Sequence, residues 1–229
     1  ALSDLEPVAA AGLSLGEMTA HCAAGTFTFE DGLKLVARRG QLMDEACEAN
    51  PGTMAAMIGG SDDDVARLAN DCKVDVANLN CPGQTVLSGQ EEGIDTAVSK
   101  AKEYGLRMGK KLKVAGAYHS RLMAGAQEKL GEALAVTKIA EPKIPVVSNF
   151  LAAPPKGPDA IRASLKDQVT GSVRWIESIQ LLREQGHDLF IELGPGKVLA
   201  GFMSRIDKGA RIISIEDAES LEAAVAELS

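Results

Sequence analysis

Residues 12–16 read Gly12-Leu13-Ser14-Leu15-Gly16 and fit the pattern G-x-S-x-G. The apolar run Pro7–Ala11 before them predicts a buried strand, and the helical spacing after them predicts a helix that ends at Gly25. On a sharp strand-to-helix turn a serine exposes its Oγ, flanking glycines let the backbone pass closely, and the next N–H can hold an oxyanion. The segment therefore favours an α/β fold with Ser14 as nucleophile over a glycine-rich turn with an incidental serine.

Serine needs a base near neutral pH, and the chain has three histidines. His21 follows Ser14 on the same predicted helix, about 10 Å along its axis. His187 follows Gly186 at a predicted helix end. His119 lies between a predicted strand and a predicted helix, and such strand-end loops are where α/β folds gather functional residues. We therefore favour His119 as the base.

Arg39 lies in a helix predicted over Phe29–Asn50, whose inner side is expected to include Leu33 and Leu42. A guanidinium turned inward would bind a carboxylate with two parallel hydrogen bonds. On the outer face an arginine is simply solvated, which is what we expect of Arg38.

The stretch from Thr53 to Val114 has a pattern of predicted strands and helices that differs from the rest of the chain. Strand, helix, strand, strand, helix and strand follow one another, and the turn Cys81-Pro82-Gly83 separates the two middle strands. This βαββαβ order is typical of a ferredoxin-like unit. We expect residues 53–114 to form a small subdomain, inserted into a large α/β subdomain made of residues 1–52 and 115–229.

Composition argues against several classes of protein. The chain has 24 Lys and Arg against 32 Asp and Glu, a net charge of −8, and only 3% aromatic residues. Such a chain is a poor candidate for binding nucleic acid, and no apolar run is long enough to cross a bilayer. The four cysteines are scattered, without a CxxC pair or a cluster with histidines, which argues against a disulfide framework or a metal site.

Five blocks in order, GLSLGE, RRGQLM, NCPGQTVLSG, GAYHSRLM and ELGPGKVLAGF, resemble the malonyl-CoA:acyl-carrier-protein transacylase family. The resemblance runs from about Pro7 to the C-terminus, and the first block resembles plastid and cyanobacterial members. It implies an α/β-hydrolase-like large subdomain that carries the ferredoxin-like one. It also implies transfer of malonyl from malonyl-CoA to the phosphopantetheine thiol of acyl carrier protein through a seryl-malonyl intermediate, in fatty acid biosynthesis, without a bound cofactor or metal.

The resemblance also assigns roles to individual residues. Ser14 is the acylated nucleophile, His119 its base, and the Leu15 N–H an oxyanion donor. Arg39 is expected to bind the free carboxylate of the malonyl group. The backbone carbonyl of Gln168 is expected to orient the histidine, so that a neutral group replaces the acid of a Ser-His-Asp triad.

The chain departs from the family pattern at three places. The family's second oxyanion donor is a glutamine in an N-terminal Gly-Gln-rich loop that these 229 residues do not contain, so we expect upstream sequence to be missing. Many members have His at the position of Leu13. Malonyl-selective members commonly have Phe before the base, where this chain has Tyr118.

Carrier protein is strongly acidic, so docking on this acidic chain needs a local basic patch. Residues 100–113 hold six Lys and Arg against Glu103, a net of +5, and Lys110 and Lys111 are the candidate contacts. The alternative is that they are ordinary solvated lysines. We further expect a monomer, in the bacterial cytoplasm or in a plastid stroma.

Two other functions fit parts of the pattern. A serine esterase or thioesterase of the α/β-hydrolase type needs an acid between serine and histidine in chain order. Asp71, Asp75 and Asp95 lie in that interval, but inside the predicted insertion, and Arg39 would have no role. The other alternative is an inactive, truncated acyltransferase domain that still binds carrier protein.

Overall fold

The computed structural model describes residues 5–228, along which helices and strands alternate. The strands are β1 (Ala10–Ala11), β2 (Thr53–Ile58), β3 (Asp75–Cys81), β4 (Gln84–Gly89), β5 (Met108–Lys111), β6 (Val146–Val147), β7 (Leu189–Leu193) and β8 (Arg211–Ile215). The α-helices are α1 (Leu15–Ala23), α2 (Phe29–Ala49), α3 (Asp62–Asp71), α4 (Glu91–Lys100), α5 (Ala124–Val136), α6 (Pro158–Asp167), α7 (Trp175–Glu184), α8 (Val198–Ile206) and α9 (Ala218–Leu228). Residues 1–4 and 229, at the two ends of the predicted large subdomain, lie outside the described residues.

Strands β2 to β5 form one antiparallel sheet in the order β3-β4-β2-β5. Ala55 and Met57 of β2 pack with α3 and α4 on one face, since side chains alternate along a strand. The strand predicted over Arg107–Val114 is shorter than expected: β5 covers Met108–Lys111, and beyond it the Leu112 N–H still donates to the Met54 carbonyl of β2 at 2.9 Å. The βαββαβ order and this sheet confirm the predicted α/β class with a ferredoxin-like unit, while the limits of the two subdomains stay a prediction.

Local signals set the ends of the helices in this unit. Ser61 and Asp64 form a capping box that starts α3. The sequence predicts one helix over Glu91–Tyr104, whereas the structure has α4 followed by a 3₁₀ turn at Ala101–Tyr104, which tightens the helix end. Gly105 ends that turn with a φ of 81°, a conformation that favours glycine.

The other described residues form two parallel strand pairs, β1 with β6 and β7 with β8. The strand predicted over Pro7–Ala11 is reduced to Ala10–Ala11. The Ala10 N–H donates to the Pro145 carbonyl, but Pro145 has no N–H with which to extend the ladder. β1 is therefore a very short strand that leads directly into the turn before α1.

Helix α2 packs against α1 and α5 and forms much of the larger core. The prediction of its inner side is partly wrong. Leu33 is 58% exposed, whereas Leu35 is 3% exposed and Leu42 1%. The buried positions Leu35, Arg39, Leu42 and Ala46 recur every three to four residues, and this spacing carries Arg39 into the interior.

Backbone contacts fix the small sheet against the remainder of the protein. The Leu79 N–H donates to the Val173 carbonyl at 2.9 Å, and the Val173 N–H donates to the Ala77 carbonyl at 2.8 Å. Arg205 of α8 donates to the Pro82 carbonyl in the turn between β3 and β4. The sheet face opposite α3 and α4 is thereby held towards the start of α1. In the described part of the chain no helix combines the length and apolarity needed to cross a membrane.

Candidate active site

Ser14 lies in a strained turn between β1 and α1. Its φ of 53° and ψ of −105° are conformations that residues other than glycine rarely adopt. A Cβ on Gly12 would lie 2.1 Å from the backbone of Gly16, so only glycine fits there. A Cβ on Gly16 itself would meet nothing within 4 Å. The expectation that both glycines relieve a clash is therefore wrong for Gly16, and the steric requirement falls on Gly12.

The turn presents Ser14 to His119, which lies in the loop after β5. Ser14 Oγ is 2.8 Å from His119 Nε2, and His119 Nδ1 is 2.8 Å from the backbone carbonyl of Gln168. A carbonyl only accepts, so Nδ1 carries the ring proton and Nε2 is free to take the serine proton. Burial lowers the pKa of His119 to about 4 and the Arg39 charge adds to the effect, while the bond to Gln168 opposes it. The imidazole is therefore a neutral base at pH 7.

Arg39 reaches the same serine from α2. It is 6% exposed, and its Nη2 donates to Ser14 Oγ at 3.0 Å and to Gln168 Oε1 at 3.1 Å. Both partners are neutral, and Arg39 forms no salt bridge among residues 5–228. Its Nε is buried without a partner in that range. Burial lowers the pKa of Arg39, which an arginine tolerates while staying charged. The site thus holds a cation able to bind an anion.

A cavity of about 480 Å³ opens in front of these groups. Ser14, Arg39 and His119 line one side, and Met54 and Val86 of the small sheet line the other. Its volume is in the range of sites that hold small organic ligands. Leu15 is the first residue of α1, so its N–H lies at the helix N-terminus next to Ser14.

Two further polar residues, not predicted from the sequence, complete the site. Asn149, after β6, accepts from the Ser14 N–H at 2.6 Å through Oδ1 and donates to the Gly12 carbonyl at 2.8 Å. Glu17 of α1 has no exposed surface and accepts from the Asn149 N–H at 2.8 Å. It also accepts from Gln168 Nε2 at 2.7 Å. Glu17 at an inner position of an amphipathic helix was a signal available in the sequence.

Comparison with known proteins agrees with this geometry. The acyl transferase domain family matches residues 4–220. The chain belongs to this family. A relative from Bacillus subtilis (strain 168), named malonyl CoA-acyl carrier protein transacylase, is 39% identical over 228 residues, covering 97% of this chain and 72% of the relative. These findings confirm the family resemblance and the acyltransferase class.

Solved structures of such enzymes have the same fold. The malonyl CoA-acyl carrier protein transacylase from Coxiella burnetii superposes with a TM-score of 0.94 at 36% identity, covering 99% of this chain and 73% of that one. A malonyl-transacylase solved in complex with its type II PKS acyl-carrier protein gives a TM-score of 0.94 at 33% identity, covering 97% and 74%. The predicted fold, a large α/β-hydrolase-like subdomain with a ferredoxin-like one, is confirmed.

The other two histidines of this acyltransferase have surroundings unlike those of His119. His21 is fully buried in α1, with Nδ1 3.0 Å from Thr26 Oγ1 and its ring against Phe27. His187 follows α7, where its backbone carbonyl accepts from Arg183. Neither ring forms a hydrogen bond with the Ser14 side chain.

The acids required by the esterase alternative have other partners. Asp71 accepts from the Tyr104 hydroxyl, Asp75 pairs with Arg121, and Asp95 pairs with Lys111. In an esterase such an acid would bind Nδ1 of His119, where this structure has the backbone carbonyl of Gln168. Among residues 5–228 no three His, Cys, Asp or Glu side chains are grouped to hold a metal ion.

Lys110 and Lys111 lie next to each other in β5 and point to opposite faces of the sheet. Lys111 pairs with Glu91 at 2.9 Å and with Asp95 at 2.8 Å, both on α4. The net charge of +5 predicted for residues 100–113 leaves out these acids, so it overstates the local positive charge.

Lys110 is on the other face of β5. It is paired in register with Ala56, whose face of the sheet also carries Met54 and Val86 from the cavity wall. Lys110 is therefore exposed on the same side of the sheet as the cavity.

Acid should destabilise this fold through its buried histidines. Burial lowers the pKa of His21 to about 4, as it does for His119, against 6.5 for an unperturbed histidine. Below pH 6.5 the unfolded chain binds protons that the folded protein does not, so the free energy of unfolding falls as pH drops from 6.5 to 4. Each histidine contributes about 3 kcal/mol to this loss.

The measurement is urea unfolding of wild type and His21→Leu between pH 7 and pH 4. Glu17 acts in the opposite sense over part of this range, because burial raises its pKa to about 7. Subtracting the two proteins removes that contribution. The stability difference should shift by about 3 kcal/mol in favour of His21→Leu towards pH 4. A difference independent of pH would mean that His21 is not buried in its neutral form.

Proposed function

We propose that this acyltransferase moves a malonyl group from malonyl-CoA to the phosphopantetheine thiol of acyl carrier protein, through an ester on Ser14, in fatty acid biosynthesis. The observation that carries the proposal is the buried guanidinium of Arg39. It lies 3.0 Å from the nucleophilic oxygen and has no carboxylate partner of its own among the described residues. An acyl group bound to Ser14 that ends in a carboxylate would supply that partner.

Acylation follows from the hydrogen bonds around Ser14. His119 Nε2 takes the hydroxyl proton as Oγ attacks the thioester carbon of malonyl-CoA. The carbonyl oxygen becomes negative and faces the Leu15 N–H at the start of α1. When the C–S bond breaks, the CoA sulfur leaves and takes the proton from His119. Gln168 accepts from Nδ1 throughout and stabilises the imidazolium that forms in between.

The second half reaction is the same chemistry with the phosphopantetheine thiol as nucleophile. His119 takes the thiol proton, the sulfur attacks the ester carbon, and the C–O bond to Ser14 breaks. Oγ then recovers its proton from the imidazolium. CoA must leave before the carrier thiol enters the same cavity, so the kinetics are ping-pong. Malonyl-CoA and the carrier's phosphopantetheine are substrates in this scheme, and no resident cofactor is required.

Arg39 gives the site a reason to prefer malonyl over acetyl. The malonyl carboxylate can accept two parallel hydrogen bonds from the guanidinium, including one from the unpartnered Nε. An acetyl group leaves that donor buried and unpaired, a penalty of about 1–3 kcal/mol. A hydrolase acting on neutral esters has no use for this cation, which favours acyl transfer with a charged acyl group.

The carrier protein is proposed to dock on the cavity side of the small sheet, with Lys110 as a contact. Lys110 is exposed there, while Lys111 is already paired with acids of α4. Basic side chains at the rim would attract an acidic carrier and act mainly on the association rate. The monomeric state and a location in the cytoplasm or a plastid stroma stay predictions from the sequence.

Replacing Arg39 with Ala should trade selectivity for promiscuity. The rate of malonyl transfer should fall by tenfold or more, because the charge-assisted hydrogen bonds to the malonyl carboxylate are lost. The rate of acetyl transfer should fall less or rise. Arg39→Lys should restore only part of the malonyl rate, because an ammonium lacks the planar fork. The measurement is the ratio of malonyl to acetyl transferred to carrier protein.

Arg38→Ala is the matched control, since Arg38 is the neighbouring arginine on α2 but is exposed. It should leave the ratio unchanged. If Arg39→Ala also leaves the ratio unchanged, Arg39 is not the carboxylate site, and the main reason for naming malonyl as substrate is lost. Rapid hydrolysis of neutral esters that Arg39→Ala does not affect would instead support the esterase alternative.

A further inference from the structure

Glu17 is a buried carboxyl group that the proposed reaction does not use. It lies three positions after Ser14 on α1 and has no exposed surface. Among residues 5–228 it forms no salt bridge, and its Oε1 has no hydrogen-bond partner. Burial raises its pKa to about 7, although four hydrogen-bonding or charged neighbours oppose the rise. A carboxyl in such surroundings destabilises a fold, so its contacts call for a functional explanation.

One oxygen of Glu17 controls the orientation of the Gln168 side chain. Oε2 lies 2.7 Å from Gln168 Nε2, which also donates to the Ser14 carbonyl at 3.0 Å. With its NH₂ committed to these acceptors, the amide must turn Oε1 the other way. There Oε1 accepts from Arg39 Nη2 at 3.1 Å. Were the amide reversed, its NH₂ would face the guanidinium, donor against donor.

The same oxygen of Glu17 has a second donor. It accepts from the Asn149 N–H at 2.8 Å, and the Asn149 side chain in turn holds the backbone of the turn at Gly12 and Ser14. Glu17 Oε2 therefore connects two parts of the site. Through Asn149 it holds the turn at Ser14, and through the Gln168 amide it holds the guanidinium of Arg39.

We propose that Glu17 is a positioning residue for recognition of the acyl carboxylate: through the Gln168 amide it aims Arg39 at the group bound to Ser14. The proposal rests on the proposed function, because it assigns Glu17 to the malonyl-specific part of the site. Glu17 touches no reacting atom. Its effect should therefore appear in the preference for charged acyl groups and should depend on the presence of Arg39.

The test is competition between equal concentrations of malonyl-CoA and acetyl-CoA, with both Ser14 adducts counted by mass spectrometry. Glu17→Leu keeps the volume and removes the acceptor. It should lower the malonyl-to-acetyl ratio by tenfold or more, since a displaced binding group can reduce a rate by up to about 10²-fold. Both adducts come from the same folded molecules, so the ratio does not depend on how much of the variant folds.

Two further variants separate positioning from a general structural role. Glu17→Gln retains an oxygen that can accept from Asn149 and Gln168, and it should keep most of the wild-type ratio. His21→Leu introduces the same new side chain at another fully buried position of α1, and it should not change the ratio. In an Arg39→Ala background, Glu17→Leu should have no further effect on the ratio.

The outcomes distinguish failure of this inference from failure of the proposed function. If wild type forms a malonyl adduct and Glu17→Leu lowers malonyl and acetyl acylation equally, Glu17 supports the nucleophile turn and does not position Arg39. A ratio effect that persists in full without Arg39 overturns the proposal as well. If wild type forms no malonyl adduct, the proposed function fails and the role of Glu17 fails with it.

Discussion

Replacing Ser14 with Ala should abolish the stable mass increase that malonyl-CoA gives to the wild-type protein. Ser14 Oγ is held between a neutral imidazole at 2.8 Å and a guanidinium at 3.0 Å, so it is both activated and placed to carry the acyl group. Alanine removes this oxygen but leaves a Cβ in the same turn. The measurement is mass spectrometry of the intact protein, followed by peptide mapping of the adduct.

The competing nucleophiles are the cysteines, all four of which are free thiols. Burial raises the pKa of Cys47, Cys72 and Cys81, which keeps these groups protonated and weakly nucleophilic at neutral pH. We therefore expect no adduct on a cysteine peptide. An adduct on Cys22 or Cys81, or one that survives in Ser14→Ala, would remove Ser14 from the role of nucleophile.

The turn at Ser14 could be predicted because its signal is local. Glycine at position 12, a preceding apolar run and a following helical pattern all lie between Pro7 and Gly25, and a sharp turn needs little else. The sequence did not reveal which glycine is sterically essential. The Cβ clash at Gly12 is with the backbone of Gly16, whereas Gly16 has open space around its own Cα.

Helix α2 shows the limit of periodicity. Its span was predicted almost to the residue, but its rotation was not, and Leu33 was placed inside. Apolar residues occur around much of this helix, so several rotations fit the pattern. Neighbouring helices α1 and α5 decide between them, and they bury Leu35 and Arg39 instead. The inward direction of Arg39 was expected from the family resemblance, not from the spacing.

The surroundings of three residues are set by contacts between distant parts of the chain and could not be predicted from the sequence: Glu17, Asn149 and Lys111. Glu17 meets the Asn149 N–H across 132 positions, and nothing near either residue announces the pairing. Lys111 pairs with two acids of α4, because α4 lies against β5, and its role as a docking contact stays a prediction. A net charge counted over a stretch of sequence leaves out charged residues from other parts of the chain that folding places next to that stretch.

Replacing His119 with Ala should slow formation of the malonyl-enzyme by roughly 10²–10⁴-fold, the usual contribution of a positioned general base. The variant should keep Ser14 in place, because two hydrogen bonds that hold it do not involve the imidazole. The Ser14 N–H donates to Asn149 Oδ1, and Arg39 Nη2 donates to Ser14 Oγ. The loss should therefore fall on the acylation rate and leave malonyl-CoA binding nearly intact. Rapid-quench measurement of the acylation rate at saturating malonyl-CoA separates the two.

The pH profile adds a readout that a merely structural histidine would not affect. Because burial lowers the pKa of His119 to about 4, the limb that this base contributes to the acylation rate should lie near pH 4 and not near 6.5, and it should vanish in His119→Ala. His21→Ala and His187→Ala are the comparisons: His21 bonds to Thr26 inside the core, and His187 lies beyond α7. Both should acylate within a few-fold of wild type. A loss for His21→Ala as large as that for His119→Ala, in protein shown to be folded, would mean that the base is wrongly assigned.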